Sequence, residues 1–210
     1  MKIPLAREGY FHILISLFAF VLFVTLRYYA AGFIFLFASL FLVCFFRQPQ
    51  RRIVYKRGMV LSPADGRVVQ IKRVVPGVFF DKEVTRVSIF MSVFNVHVNL
   101  APMEGKIVFM EHSKGKYLNA INPKASELNE ACAMGFEFEG ERILIKQLAG
   151  LIARRIKNCV KVSESVSAGD KIGIIMFGSR VDIFMDESFS LKVDLGQKVK
   201  AGLTLIGEKT

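Results

Sequence analysis

Two long apolar runs open the chain, and short ones fill the rest of it. Phe11 to Leu26 carries no charge, Arg27 interrupts, and Tyr28 to Phe46 is uncharged again. The second run approaches the roughly 20 residues that a bilayer core requires, and the first is marginal. A tight hairpin and one long interrupted helix are therefore both open. A cleaved signal peptide fits poorly, because the apolar region is too long and no small-residue cleavage site follows it. After about Val60 the pattern shortens to β-like runs paced by glycine: residues 68–71, 86–90, 106–110 and 143–146. Glu139-Gly140-Glu141 predicts a hairpin turn between residues 135–138 and 142–146. Residues 122–134 read as a polar loop or short helix. Phe94 to Leu100 reads as an alternating strand with Asn95, His97 and Asn99 on one face. The expected architecture is mostly β, a compact antiparallel β-sandwich or flattened barrel over residues 58–210. An N-terminal transmembrane helical hairpin with a basic tail, residues 1–57, precedes it. A turn-then-strand rhythm recurs at residues 166–173 and 195–207, as in the flattened barrels of lipoyl carriers. No lysine stands in the setting those carriers modify, so a swinging-arm role is not expected.

Charge orients the apolar segments. Lys2 and Arg7 precede the first run; Arg47, Arg51, Arg52, Lys56 and Arg57 follow the second with no acid among them. By the positive-inside rule both clusters belong on the cytoplasmic side, with Arg27 facing outward beside Tyr28 and Tyr29. The net charge is +11. Anionic lipid explains the cluster after the second run better than nucleic acid does, at about 1 kcal/mol per cation near the surface; simple topology explains it too. Cys44, Cys132 and Cys159 form neither a CxxC pair nor a metal-ligand spacing, which agrees with a reducing compartment. No metal is expected.

Candidate chemistry begins with Gly178-Ser179, the only Gly-Ser pair in the chain, set inside the apolar run from Ile174 to Met185. One reading is a β-bulge in a buried strand. The other is a serine hydroxyl that reaches the preceding carbonyl, the geometry of an N-to-O acyl shift. His97, flanked by Asn95 and Asn99, is either solvated on an edge strand or part of a hydrogen-bonded site. Asp65, before Gly66, either caps a turn or orients a histidine. Ser179, His97 and Asp65 have the chemical types of nucleophile, proton carrier and orienter. No G-x-S-x-G elbow occurs, which disfavours an α/β-hydrolase. His112 reads as a loop residue or a second proton carrier, and His12 falls in the first apolar run.

Four segments in order resemble the phosphatidylserine decarboxylase proenzymes of the short bacterial and archaeal type. They are Ser62-Pro-Ala-Asp-Gly66, Met91-Ser-Val-Phe-Asn-Val-His-Val-Asn99, Gln147-Leu-Ala-Gly-Leu-Ile-Ala-Arg-Arg155 and Phe177-Gly-Ser-Arg-Val-Asp182. The resemblance implies self-cleavage between Gly178 and Ser179 into a large chain, 1–178, and a small chain, 179–210, that stay associated. It implies a covalent pyruvoyl cofactor formed from Ser179, which makes a Schiff base with the amine of phosphatidylserine and acts as the electron sink for loss of CO₂. His97 is then the base and Asp65 its orienter, with Asn95, Asn99 and Arg180 as substrate-binding candidates. The implied partners are an anionic phospholipid substrate and the inner cell membrane, with the catalytic domain on the cytoplasmic face; a homo-oligomer is compatible, and no nucleic acid is expected. Leu100 and Ala131 depart from the pattern of short relatives, which leaves Arg154, Arg155, Arg180 and Lys116 as cations to contact the headgroup. The competing readings are a membrane-tethered β-barrel adaptor that never cleaves itself, and a pyruvoyl decarboxylase of a soluble amino acid.

Overall fold

The computed structural model describes residues 4–115, 125–150, 155–176 and 179–210. The chain forms two compact units that divide between Gln50 and Arg51, seven residues before the boundary drawn from sequence.

The first unit is a helical hairpin. Helix α1, Tyr10–Thr25, and helix α2, Tyr29–Phe45, are joined by a turn in which Arg27 has φ 64°, so the chain reverses and one long helix is ruled out. Polar groups inside an apolar pair must find partners between the helices. Accordingly, Ser39 Oγ donates to Ser16 Oγ at 2.9 Å, and Ser16 Oγ donates to the Phe35 carbonyl at 3.0 Å. Phe23 stacks on Phe35 with ring centroids 5.4 Å apart. The two ends are tied by Ala6 N–H to Phe46 O, 2.8 Å, and Gln48 N–H to Pro4 O, 2.7 Å. Residues Arg7–Thr25 are long and apolar enough to cross a membrane, whereas α2 is slightly shorter.

Among the described residues, the regular structure of the second unit is β-strand, apart from the one-turn helix α3, Ala125–Leu128. Its strands are β1 Met59–Leu61, β2 Gly66–Val74, β3 Val84–Met91, β4 Val98–Leu100, β5 Gly105–Ser113, β6 Ala131–Phe138 and β7 Glu141–Ala149. There follow β8 Ile156–Asn158, β9 Ser165–Val166, β10 Lys171–Ile175, β11 Ser179–Met185, β12 Phe189–Leu191, β13 Lys198–Val199 and β14 Leu205–Lys209. An eight-stranded sheet runs β13-β2-β3-β11-β7-β6-β5-β9, and two three-stranded sheets run β4-β10-β8 and β1-β14-β12. The described strand pairs in them are antiparallel. The main core lies between the large sheet, through Val87, Ile89, Ile145, Val181 and Ile183, and the small ones, through Val60, Ile172, Ile175 and Ile206. The expected mostly β, sandwich-like class holds.

Several local expectations hold and others shift. The hairpin of β6 and β7 turns at Glu139 and Gly140, φ 46° and 83°, the paired positive values that match a two-residue turn to strand twist. The echoed turns at Gly169 and Gly202 are also left-handed, φ 90° and 69°, and both close on Ile53. A Cβ at Gly169 would lie 1.9 Å from Ile53 Cδ1, so a side chain there would have to displace Ile53 and also adopt a left-handed φ. Of the 122–134 stretch read as a loop or short helix, 125–128 form helix α3, 122–124 lie outside the described residues, and 131–134 are strand because their small and apolar side chains are buried against β7. Residues 94–100 are not one strand: Ser92 to Asn95 is a turn, and only Val98–Leu100 pairs. The apolar run from Ile174 to Met185 is likewise two strands. Strand β10 ends at Ile175 in one sheet and β11 begins at Ser179 in another, so Ser179 opens a new strand and is not a bulge inside one.

Candidate functional site

Ser179 opens β11, the strand held between β3 and β7, opposite Met91 on one side and Ala149 on the other. Strand alternation puts its side chain on the core face with Val181, Ile183 and Met185. Ser179 is fully buried, and its hydroxyl donates to Met91 Sδ at 3.4 Å. A thioether is a weak acceptor, so the hydroxyl is positioned without being strongly held. The same sulfur receives Asn99 Nδ2 at 3.7 Å, and Asn99 Oδ1 accepts from Gln147 Nε2 at 2.7 Å, all buried. Gln147, Asn99, Met91 and Ser179 thus form one connected chain from β7 through β4 and β3 to β11.

His97 is fully buried, which settles the choice between a solvated edge and an enclosed site. Its Nδ1 lies 3.0 Å from the Asn95 carbonyl oxygen. A carbonyl can only accept, so Nδ1 carries the hydrogen and the basic lone pair of the neutral ring is on Nε2. The His97 carbonyl accepts from Ile175 N–H at 3.3 Å, four residues before Ser179. His97 and Ser179 are therefore brought to the two ends of the same short crossing. Asn95 does not share a strand face with His97. Its Oδ1 caps the preceding turn, accepting from Ser92 N–H at 2.9 Å and Ser92 Oγ at 2.8 Å.

Asp65 is buried but is held by another partner. Arg51 grips both its oxygens, Nη1 to Oδ1 at 2.6 Å and Nη2 to Oδ2 at 2.8 Å, and Ala201 N–H adds a third bond at 2.8 Å. No hydrogen bond joins Asp65 to His97 among the described residues. Arg51, read from sequence as one of the juxtamembrane cations, is here a structural clamp across the turn. A cavity of about 690 Å³ runs past Asp65, Ser92 and Asn95, with Arg67, Lys198 and Lys200 around it.

Arg180 sits on the opposite face of β11 from Ser179. It is 1% exposed and pairs with fully buried Asp182, Nε to Oδ1 at 2.6 Å; its Nη2 donates to Ser88 Oγ at 2.6 Å. Asp182 Oδ2 also accepts from Ser126 Oγ at 2.6 Å. This burial separates Arg180 from the Ser179 face and makes it a framework residue. Gly178, Arg154 and Lys116 lie outside the described residues. Arg155 is exposed, and its carbonyl accepts from Met176 N–H at 3.3 Å. His112 is exposed and near Glu130, 3.4 Å, far along β5. Sequence reasoning missed the Met91 and Gln147 contacts although both residues lie inside the motifs it singled out, and no local signal pairs Arg51 with Asp65.

Residues 38–207 match the sequence profile of phosphatidylserine decarboxylase. The chain belongs to the phosphatidylserine decarboxylase family. A phosphatidylserine decarboxylase proenzyme of Syntrophotalea carbinolica is 44% identical over 207 residues, covering 97% of this chain and 96% of the relative. One from Desulfotalea psychrophila is 38% identical over 213 residues, 99% and 97% of the two chains. One from Chlorobium phaeobacteroides is 46% identical over 169 residues, 80% and 79%. Within this decarboxylase family frame, the matched region contains Asp65, His97, Asn99, Ser179 and Arg180 together.

Proposed function

We propose that the chain is a self-processing, membrane-associated enzyme that converts phosphatidylserine to phosphatidylethanolamine and CO₂. The observation that carries this reading is Ser179: a buried hydroxyl on a weak acceptor, at the head of a strand clamped on both sides, next to a crossing that also holds His97. In the proposed processing, Ser179 Oγ attacks the carbonyl carbon of Gly178 and the amide nitrogen leaves with a proton, giving an ester and a free amine. A base then takes the Cα proton of Ser179 while the Gly178 carboxylate departs. The dehydroalanine left behind tautomerises, adds water and releases ammonia, which ends the small chain, 179–210, in a pyruvoyl group.

His97 suits the base. Asn95 holds its Nδ1–H, which leaves Nε2 as the atom that accepts a proton. Burial keeps bulk water from hydrolysing the ester before elimination. The pyruvoyl group supplies a ketone that takes the substrate amine and accepts the electron pair released when CO₂ leaves. Asn99, one sulfur atom away from Ser179, is assigned to the serine headgroup. The cavity past Asp65 and Asn95, rimmed by Arg67, Lys198 and Lys200, is assigned to its phosphate. The helical unit is assigned to the inner cell membrane with residues 51–210 on the cytoplasmic face, supported by the length of Arg7–Thr25 and the basic flanks.

Intact mass spectrometry of the full chain and of Ser179→Ala tests the reading. Wild type is expected as two chains split after Gly178, the smaller lighter by one ammonia than a serine-started peptide, and it releases CO₂ from phosphatidylserine vesicles. One uncut chain in both samples would sink it.

A further inference from the structure

The face of the large sheet turned away from Ser179 holds a second arrangement of charge. Gln70, Lys72, Arg86, Ser88, Arg180, Asp182 and Lys146 stand on that face by strand register. Two of its guanidiniums are buried, Arg180 at 1% and Arg86 at 8% exposure, and among the described residues one carboxylate, Asp182, is available to them. Asp182 is taken up by Arg180 and by Ser126 Oγ. Arg86 has no ion pair among the described residues. Its Nη2 donates at 2.8 Å to Gln70 Oε1, a neutral acceptor that Arg180 Nη2 also shares at 3.2 Å, and its Nε is buried with no partner. A guanidinium withdrawn from water without a counter-charge is costly, and such groups are ordinarily paired.

A cavity of about 530 Å³ opens beside it. Lys72, Arg73 and Lys146 join Arg86 in its wall, Val78 and Phe184 form an apolar side, and no acid lines it among the described residues. Arg73 is engaged by Glu83 and Glu187; Lys146 Nζ donates to the Ser126 carbonyl at 2.8 Å. We propose that this cavity binds a phosphate-class anion, whose charge is the counter-charge that Arg86 lacks among the described residues. The planar fork of arginine matches a tetrahedral oxyanion, and the volume leaves room for an organic substituent against Val78 and Phe184. The sheet stands between this cavity and Ser179, so the site is separate from the processing centre.

The test uses the full-length Ser179→Ala chain in neutral detergent, so that neither cleavage nor turnover enters the readout and failure of the decarboxylase reading leaves it intact. Inorganic phosphate and dihexanoyl phosphatidylglycerol are titrated separately by calorimetry, at ionic strength matched with sodium chloride. Saturable binding of at least one probe is expected, weakened at least fivefold by Lys72→Glu, an exposed position that leaves the core untouched, and at least tenfold by Arg86→Gln. Tighter binding of the short-chain lipid assigns the source as a lipid headgroup; equal or tighter binding of phosphate assigns it as a free anion. No saturable binding, or binding unchanged in Lys72→Glu, overturns the proposal. So does a salt-sensitive dimer that binds neither probe, since a second copy would then supply the counter-charge.

Discussion

Replacing Asp182 by asparagine removes the carboxylate that, among the described residues, stands alone beside two buried guanidiniums. Arg180 would keep Ser88 Oγ, 2.6 Å, and a shared hold on Gln70 Oε1, 3.2 Å, both neutral. The lost pair is short, 2.6 Å, with side chains 1% and 0% exposed, so solvent does not screen it. Breaking such a buried pair from one side costs about 3–5 kcal/mol, because the surviving charge stays buried. That is a large part of a typical total stability of about 5–15 kcal/mol. The assay is urea unfolding of the Ser179→Ala chain in mild detergent. It is followed by far-ultraviolet circular dichroism, since the protein has no Trp and only 5 Tyr to report on packing. The double variant Arg180→Met/Asp182→Leu should lose less than either single change, as no charge is then left without its partner. A loss below about 1 kcal/mol for Asp182→Asn, or a double variant equal to the sum of the singles, would refute the reasoning.

Four further outcomes are expected. Arg51→Ala, which leaves the nearly buried Asp65 carboxylate with Ala201 N–H alone, should destabilise the β unit by about 3 kcal/mol in the same unfolding assay. Burial raises the Cys132 thiol pKa, and Asn158 Nδ2, 2.9 Å from its sulfur, offsets this only in part. Iodoacetamide should therefore modify exposed Cys159 in the native protein and reach Cys132 only after unfolding, as read by peptide mass. Burial alone would raise the Asp186 pKa, but hydrogen bonds from Ser188 and the charge of Lys82 outweigh it and hold the group below 3.8. Its stabilising contribution is thus present above pH 3.8 and lost as pH falls through the lower folded value; the stability difference between wild type and Asp186→Asn should shrink over that interval. His97→Ala should leave the chain uncut on a gel, and processing at the wild-type rate would remove His97 from the role of base.

Periodicity carries local information, and that is where the sequence was most legible. The β6–β7 hairpin, with its Glu139-Gly140 turn, could be read because alternation and turn chemistry act over a few residues. The helical hairpin was one of two readings, and the left-handed Arg27 decides it. The site was legible as a set of residue types but not as a set of partners. Asp65 and His97 suggest an orienter and a base, yet Arg51, 14 residues upstream, takes both carboxylate oxygens. Nothing local distinguishes an arginine that faces lipid from one that folds back onto a turn. Arg180 misled for a related reason: two residues apart on one strand, Arg180 and Asp182 share a face, but which face depends on the register of Ser179 against Met91. The apolar run from Ile174 to Met185 hid a crossing between sheets because both strands are buried, and buried strands show no alternation.

The position of Ser179 also explains how a cut chain could remain one body. Strand β11 lies inside the large sheet, paired residue by residue with β3 and β7 from Ser179 to Met185. Downstream of it, β13 adds to the edge of the same sheet, while β12 and β14 build the sheet that includes β1. A break after Gly178 would therefore sever one covalent bond and leave residues 179–210 woven into two sheets, with Val181, Ile183, Val199 and Ile206 in the shared core. Ser179 itself heads β11, at the point where the break would fall. The intact chain buries Ser179 completely, which suits an intramolecular attack and excludes a lipid headgroup. Cleavage is thus expected to be both the step that forms the reactive end and the step that opens it. Hydroxylamine should label the ketone end of the small chain in the folded, processed protein, as read by peptide mass, and labelling only after unfolding would separate the two roles.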